Sequence, residues 1–306
     1  MPRPDVHHQP VKRPQHSRPG SDTRAAWLLI LPFMIFFSIF VLFPLLQNFW
    51  NSLTNYNLTD HDFIGLANYQ RLLEDRSFLR SIVNTLIFAL GSVAPAMLLG
   101  FVAALCVGGG SRALPAVRTL LMFPYIISLV SAAMVWLYLF DPGSGILNKI
   151  LLSIGLPASD WLFDEHLALP CLIVMNIWKY VGYVMIIDLA ALKGVPAVLH
   201  EAARVDGAGY FRRIWHITLP AIKPVSGFLL ATLSVECFKT FEQVRIMTDG
   251  GPVNATTTIT HQIYIRAFAE FKMGYASAMS VVLLLMVLMV TLFNLKVSGQ
   301  SRDLTR

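Results

Sequence analysis

Ionisable side chains lie inside long apolar stretches of this chain. Lys179 and Asp188 fall nine residues apart in one stretch, whereas Glu236, Lys239 and Glu242 follow one another at intervals of three in another. Residues three apart on a helix share a face, so the second group predicts a charged row. Charged groups are costly in lipid and usually face a cavity or a partner. The pattern therefore indicates a polar path or structural ion pairs.

The same stretches carry groups that suit the recognition of a sugar. Sugar hydroxyls need hydrogen-bond donors and acceptors, and sugar rings pack on flat aromatic faces. The candidate substrate path consists of Asn176, Trp178, Lys179, Tyr183, Glu236, Lys239, Phe241 and Glu242. In the alternative interpretation, the charges at 236–242 form structural pairs near the outer interface and Trp178 is a packing residue. The sequence leaves both interpretations open.

The sequence shows no catalytic or metal-binding pattern. The three cysteines lie in apolar stretches without a C-x-x-C spacing or a Cys/His cluster, which argues against a zinc site. No G-x-x-x-x-G-K-[ST] motif occurs, and the glycines at 108–110 lack the following lysine, so they predict a flexible turn. His200, His216 and His261 fall in predicted loops, which disfavours an intramembrane enzyme. We expect no catalytic residue, no metal and no cofactor bound by this chain.

Composition identifies the elements that must position these residues as membrane-spanning helices. Of 306 residues, 55% are hydrophobic and 14% are charged, whereas soluble domains average about 25% charged residues. A bilayer core of about 30 Å needs about 20 apolar residues in a helix, and barrel strands would instead alternate over about ten. The predicted fold is all-α with six transmembrane helices, at residues 27–49, 82–107, 117–140, 169–192, 222 to about 241, and 276–297.

The distribution of Lys and Arg orients these spans by the positive-inside rule. The segment before the first span contains five basic residues, and residues 193–221 contain four. In contrast, acids balance or outnumber bases in residues 50–81 and 141–168. Both termini and loops 2–3 and 4–5 are therefore predicted to be cytoplasmic. The charged residues that give the net charge of +6 lie mostly in the gaps between the apolar runs. This distribution favours a membrane topology and argues against nucleic acid as a partner.

Three parts follow from this organisation. Residues 1–24 are polar, basic and proline-containing, which predicts a disordered cytoplasmic tail. The next apolar run is too long for a signal-peptide core and has no A-x-A-like site, so we expect a retained first span. Residues 25–300 form the six-helix transmembrane domain, with a long loop at about 193–221, and residues 301–306 form a cytoplasmic end.

The loop at 193–221 contains a predicted amphipathic helix. Pro196 suits the first helical position, and Gly207 suits the residue just past a helix end. Apolar residues between them recur every three or four positions and form one face. A second short helix is predicted at 210–218, and Pro220 and Pro224 are expected to separate it from span five. Both a helix pair on the lipid surface and a docking site for a protein fit these residues.

The motif in this loop resembles the EAA loop of binding-protein-dependent ABC importers. That family pattern is E-A-A, three residues, a glycine, then about nine residues to I-x-L-P. Here three residues separate Ala203 from Gly207, and nine separate Gly207 from Ile217. Three further segments resemble the carbohydrate-uptake class, of the maltose and glycerol-3-phosphate type: F-I-G-L-A-N-Y at 63–69, M-T-D-G-G-P at 247–252 and F-K-M-G-Y-A-S-A at 271–278. The resemblance covers roughly residues 25–300.

The resemblance implies a permease subunit of MetI-like architecture in a bacterial or archaeal plasma membrane. It implies a second, homologous permease subunit, two cytoplasmic ATPase subunits that bind ATP and Mg, and an extracytoplasmic solute-binding protein as partners. By position in the motif, the ATPase-coupling residues are Glu201, Ala202, Ala203, Asp206 and Gly207. The implied cargo is a sugar, an oligosaccharide or a related polyol, and the class also handles glycerol phosphates.

A gradient-driven secondary transporter is the alternative function. Such a protein predicts a coupling acid at mid-membrane and internal repeats. Asp188 lies away from the centre of its span, and the last three spans do not clearly repeat the first three. We therefore favour the importer subunit.

Overall fold

The computed structural model describes residues 19–108 and 114–298. These residues are helical apart from turns, loops and an antiparallel bridge between Thr54 and Phe63, which confirms the all-α prediction. The helices in the two described ranges are α1 (Pro19–Phe37), α2 (Phe43–Ser52), α3 (Ala67–Glu74), α4 (Arg76–Val107), α5 (Leu114–Ile126), α6 (Leu129–Leu139), α7 (Ile146–Ser153), α8 (Ala168–Lys193), α9 (Ala197–Val205), α10 (Tyr210–Arg213), α11 (Leu219–Phe238), α12 (Glu242–Met247), α13 (Ile259–Tyr264) and α14 (Met273–Ser298).

Some predicted features fall outside the described residues. They are residues 1–18 of the predicted tail, the glycine turn beyond Gly108, and the C-terminal end at 301–306. The last part of the predicted tail is helical, because α1 begins at Pro19.

Six candidate spans are present when a bent helix pair is counted as one. Five continuous helical segments in the described chain have the length and hydropathy to cross a membrane, and a sixth arises from α5 and α6 together. The continuous segments are Ala26–Ser52, Arg76–Val107, Ala168–Lys193, Tyr210–Phe238 and Met273–Asn294. Long apolar runs favour such helices because their backbone groups are all bonded within the helix.

The chain divides after Asn48 into two compact units. In the first unit, α1 passes into a π-helical turn, Ser38–Leu42. In the second, α4 packs on α8 and α5, and α11 packs on α14 and α4. Fully buried apolar side chains from α4, α8 and α11 form the core between these helices, among them Phe88, Leu172, Met175, Leu229 and Leu233.

The third predicted span, at 117–140, is not a single straight helix. α5 and α6 meet at 98° across a two-residue break. Pro124 lies one turn before the break and lacks the N–H that would continue the helical bonding. Ser128 is not helical, with ψ of 136°.

The predicted separation of the second loop helix from span five is wrong. Residues Tyr210–Phe238 form one continuous helical segment. Pro220 lies in the first turn of α11, where a missing N–H is tolerated. A π-helical turn, Ile214–Thr218, precedes it and changes the hydrogen-bond spacing of the backbone.

Candidate functional site

The helix between spans four and five is α9, and its end is closed by a specific cap. Pro196 was predicted at the first helical position but is the N-cap residue, so α9 begins one residue later, at Ala197. The Gly207 N–H donates to the Arg204 carbonyl at 3.0 Å, and the Ala208 N–H donates to the Ala203 carbonyl at 2.8 Å. These two bonds are those of a Schellman motif. Gly207 has φ of +74°, so its predicted position just past the helix end is confirmed.

Both the apolar and the charged side chains of α9 are accessible. Val198, Leu199 and Val205 are 69%, 48% and 89% exposed. Glu201 and Asp206 are exposed, and neither has an ion-pair partner among the residues that the structure describes. An apolar patch left open beside unpaired charges is typical of a surface that another molecule covers.

The other two predicted coupling residues give α9 a thin profile. Ala202 is exposed and Ala203 is partly buried. Their methyl groups leave the backbone of α9 close to its surface. A partner can therefore approach the helix more closely here than at a residue with a long side chain.

A cleft of about 540 Å³ separates α9 from the neighbouring ends of α4 and α8. Its lining includes the basic side chains of Lys193, Arg204 and Arg213 together with His200 and Glu201. The rest of the lining is mostly apolar, and the three basic side chains come from α8, α9 and α10.

Asn176 links span four to the end of span five. Its side chain is 5% exposed. Its Nδ2 donates to Cys237 Sγ at 3.4 Å, and its Oδ1 accepts from Gln243 Nε2 at 3.5 Å. Gln243 was not predicted from the sequence, and its position next to Glu242 at the start of α12 was the available signal.

Lys179 points its ammonium at the break in the third span. Nζ lies 3.3 Å from the carbonyl oxygen of Pro124, 3.4 Å from that of Tyr125 and 2.7 Å from that of Ile127. The residue is 6% exposed. The Lys179 ammonium, which was predicted to line the polar path, thus donates to backbone carbonyls.

Aromatic rings from spans three and four lie against one another. Tyr183 stacks on Tyr125 with ring centroids 4.6 Å apart and an interplanar angle of 19°, and Tyr180 meets Tyr125 edge-on. Trp178, 36% exposed, packs edge-on against Trp136 at 5.6 Å. Trp178 and Tyr183 were predicted from the sequence, but their partners Trp136 and Tyr125 were not, because these contacts depend on how the bent third span packs on span four.

The predicted pair on span five is confirmed, but the longer charged row is not formed. Lys239 Nζ lies 3.9 Å from Glu236 Oε1, and the two side chains are 61% and 47% exposed. α11 ends at Phe238, so Lys239 is its C-cap residue. Glu242 is exposed and begins a separate helix, α12. The break around Thr240 therefore ends the row.

The segment after α11 folds into a small polar junction. His261, predicted to lie in the loop between spans five and six, is on α13 within that segment and is 3% exposed, with Nε2 3.1 Å from Asp249 Oδ1. Asp249 also accepts a hydrogen bond from Arg245. Phe241 packs against the ring of Tyr264 at 5.0 Å. Burial lowers the pKa of His261, and the hydrogen bond and negative charge of Asp249 oppose this shift only in part.

Long apolar helices that pack around aromatic and ionised groups, with an exposed amphipathic helix between two of them, define a multi-pass membrane permease. Residues 96–299 match the family of binding-protein-dependent transport system inner membrane components. The chain belongs to this family, and it is a permease of an ABC transport system in the inner membrane.

Two relatives and a solved structure are similar over most of the chain. The sn-glycerol-3-phosphate transport system permease protein UgpA of Yersinia pestis is 35% identical over 92% of this chain and 96% of its own. The diacetylchitobiose uptake system permease protein NgcF of Streptomyces coelicolor is 34% identical over 81% of this chain and 74% of its own. A chain of a bacterial alginate ABC transporter, in complex with an alginate pentasaccharide-bound periplasmic protein, has a TM-score of 0.81 at 28% identity and covers 93% of this chain and 98% of its own. These matches favour the importer subunit over a gradient-driven transporter.

Proposed function

We propose that this permease translocates a sugar, an oligosaccharide or a related polyol that an extracytoplasmic binding protein delivers, at the expense of ATP hydrolysed by separate subunits. The observation that carries the proposal is α9, an exposed helix with apolar side chains and unpaired acids, closed by the Gly207 cap. Relatives named for glycerol 3-phosphate and diacetylchitobiose support the class of cargo.

In this proposal, α9 docks on a cytoplasmic ATPase subunit. Glu201, Ala202, Ala203, Asp206 and Gly207 form the coupling surface. The small alanines permit close approach, the acids face basic groups of the partner, and the glycine turns the chain away from the contact. ATP and Mg bind to two such ATPase subunits, and a second, homologous permease completes the membrane path. Both termini of this chain lie on the cytoplasmic side, as the basic loops predict.

The proposed path for the cargo runs along spans four and five. Trp178 and Tyr183 offer ring faces, while Glu236, Lys239 and the neighbouring Phe241 and Glu242 line its outer part. Asn176, which is buried, supports this surface by joining the two spans. A mixture of flat rings and hydrogen-bonding groups suits a polyhydroxylated solute.

The test is uptake into proteoliposomes that contain this chain with its ATPase, its second permease and its binding protein. A binding screen on that last protein, against sugars, polyols and glycerol phosphates, first selects the solute. We expect uptake that requires both ATP and the binding protein. Uptake by this chain alone under an ion gradient would refute the proposal.

A further inference from the structure

The break in the third span leaves backbone groups without helical partners. The last carbonyls of any helix lack intrahelical N–H donors. Within a membrane no bulk water replaces those donors, so each open carbonyl is costly. The carbonyls of Pro124 and Tyr125 in the last turn of α5, and that of Ile127 just after it, are in this situation, since Ser128 leaves the helix and α6 begins at Leu129.

Lys179 supplies the missing donors. An ammonium group has three N–H donors, and Nζ lies within 3.4 Å of all three carbonyl oxygens. The carbonyl end of a helix carries partial negative charge, which a cation stabilises. The sequence separation of 52 to 55 residues makes this a tertiary contact that ties span four to the bend.

A second contact, one helical turn along α8, fixes the same joint. A Cβ atom on Gly182 would overlap the carbonyl of Leu121 on α5. The backbones of α5 and α8 therefore touch at this point, where only glycine fits. Lys179 and Gly182, three residues apart, hold α5 from the same side of α8.

The aromatic surface of the proposed path depends on this joint. Tyr125 contributes one of the carbonyls bound by Lys179, and its ring stacks on Tyr183 at 4.6 Å. We propose that Lys179 is a positioning residue, whose ammonium sets the bend of the third span and thereby seats Tyr125 against Tyr183. The cargo-related part of this inference rests on the proposed function. Lys179 is not a solute contact, because its donors are engaged and it is 6% exposed.

The bend can be measured as a distance in the assembled transporter. Spin labels on noncanonical residues at Leu120 and Met134, both exposed, would report the arrangement of α5 and α6 with the native cysteines left in place. We expect Lys179→Met to broaden or shift this distance distribution, and Lys179→Arg, which keeps charge and donors, to preserve it. Lys149→Met, at an exposed lysine of α7, is the matched control. If Lys179→Met does not accumulate in membranes, Lys179→Gln replaces it and should show a partial shift, because its amide retains two N–H donors.

Uptake distinguishes positioning from solute contact. A positioning role predicts that Lys179→Met lowers maximal uptake about tenfold or more, the scale of a lost charge-assisted hydrogen bond, and that Lys179→Arg rescues it. The ratio of neutral to anionic solute uptake should stay unchanged. An unchanged distance distribution in Lys179→Met, or a changed solute ratio with an intact bend, would overturn the inference. If no sugar is transported at all, the proposed function fails, but the distance measurement still decides the role of Lys179.

Discussion

The Ala208 N–H donates to the Ala203 carbonyl over 2.8 Å and so closes the end of α9. Gly207, between them, has φ of +74° and open space around its Cα. Replacing Gly207 by another residue therefore costs free energy through the left-handed backbone conformation, without a steric clash. The exit direction of the chain from the proposed coupling helix thus depends on one residue.

Gly207→Ala should destabilise this cap by about 1–2 kcal/mol, the cost of a left-handed conformation for a residue with a Cβ atom. That energy corresponds to roughly 5- to 30-fold faster hydrogen exchange at the end of α9. Gly209→Ala is the matched control, because Gly209 also has open space but an ordinary φ of −65°. Equal exchange rates in the two variants would show that the cap does not hold the helix end.

Asp75 joins the N-terminal end of α4 to the start of α14. Its Oδ1 accepts from the backbone N–H groups of Ser77 and Phe78, which caps α4. Its Oδ2 accepts from the Tyr275 hydroxyl at 2.9 Å and from Arg266 at 3.3 Å. One carboxylate therefore satisfies a helix end and two side chains of a distant segment.

Asp75→Ala should lower stability by about 2–4 kcal/mol, because both the cap and charged hydrogen bonds are lost. Tyr275→Phe, which removes one hydroxyl, should cost about 1 kcal/mol. Asp75→Asn retains a cap acceptor and should fall between them. Thermal unfolding of the purified protein in detergent gives this order, and a wild-type midpoint for Asp75→Ala would contradict it.

The junction of Asp249 and His261 predicts a pH dependence in the α12–α13 segment. The pKa of His261 lies below its ordinary value of 6.5 because the ring is buried, and nearby Arg245 further disfavours its protonation. The unfolded segment therefore binds more protons below pH 6.5, so this contribution to stability is complete above that pH and declines as the pH falls. Burial raises the pKa of Asp249, but hydrogen bonds from Arg245 and His261 outweigh it and the net pKa is lowered, so its titration lies in more acidic solution.

Hydrogen exchange of the α12–α13 segment between about pH 7.5 and pH 5.5 checks this dependence. After correction for intrinsic rates, protection should fall toward the acid end in the wild-type protein. His261→Gln, whose amide can still donate to Asp249, should flatten the profile. The same decline in both proteins would assign the effect to other groups.

Substitutions in the exposed pair of Glu236 and Lys239 distinguish a role in cargo contact from a role in stabilising the helix. Exposed ion pairs stabilise proteins by at most about 1 kcal/mol, so Glu236→Gln and Lys239→Gln should leave the unfolding midpoint nearly unchanged. If the two residues line the cargo path, both substitutions should lower uptake. Arg80→Gln is the matched control, because Arg80 and Glu165 form a comparably exposed pair elsewhere. Uptake equal to that of the control would exclude the pair from the path.

The sequence predicted features that depend on local chemistry. The limits of α9 follow from Pro196 and Gly207, and the pairing of Glu236 with Lys239 follows from their spacing on one helix. Long apolar runs likewise predicted the spans, since each helix satisfies its own backbone.

Features that depend on tertiary contacts were not predicted. Lys179 finds its partners among backbone carbonyls of another span, and carbonyls carry no residue-specific signal. The contact of His261 with Asp249, twelve residues away, was likewise not predicted, because it depends on the fold of the segment between spans five and six. Proline alone did not locate the bend, since Pro124 and Pro224 both lie within helices and only the former precedes a break.

The central claim is that α9 couples this permease to ATP hydrolysis, and charge reversal on α9 tests it most directly. In reconstituted vesicles, Glu201→Lys combined with Asp206→Lys should abolish uptake while ATP hydrolysis continues and the binding protein retains its solute. Reversal at Glu74, the last residue of α3, and at Asp160, both exposed acids outside α9, controls for added charge. Unchanged uptake in the Glu201 and Asp206 double variant would contradict the account.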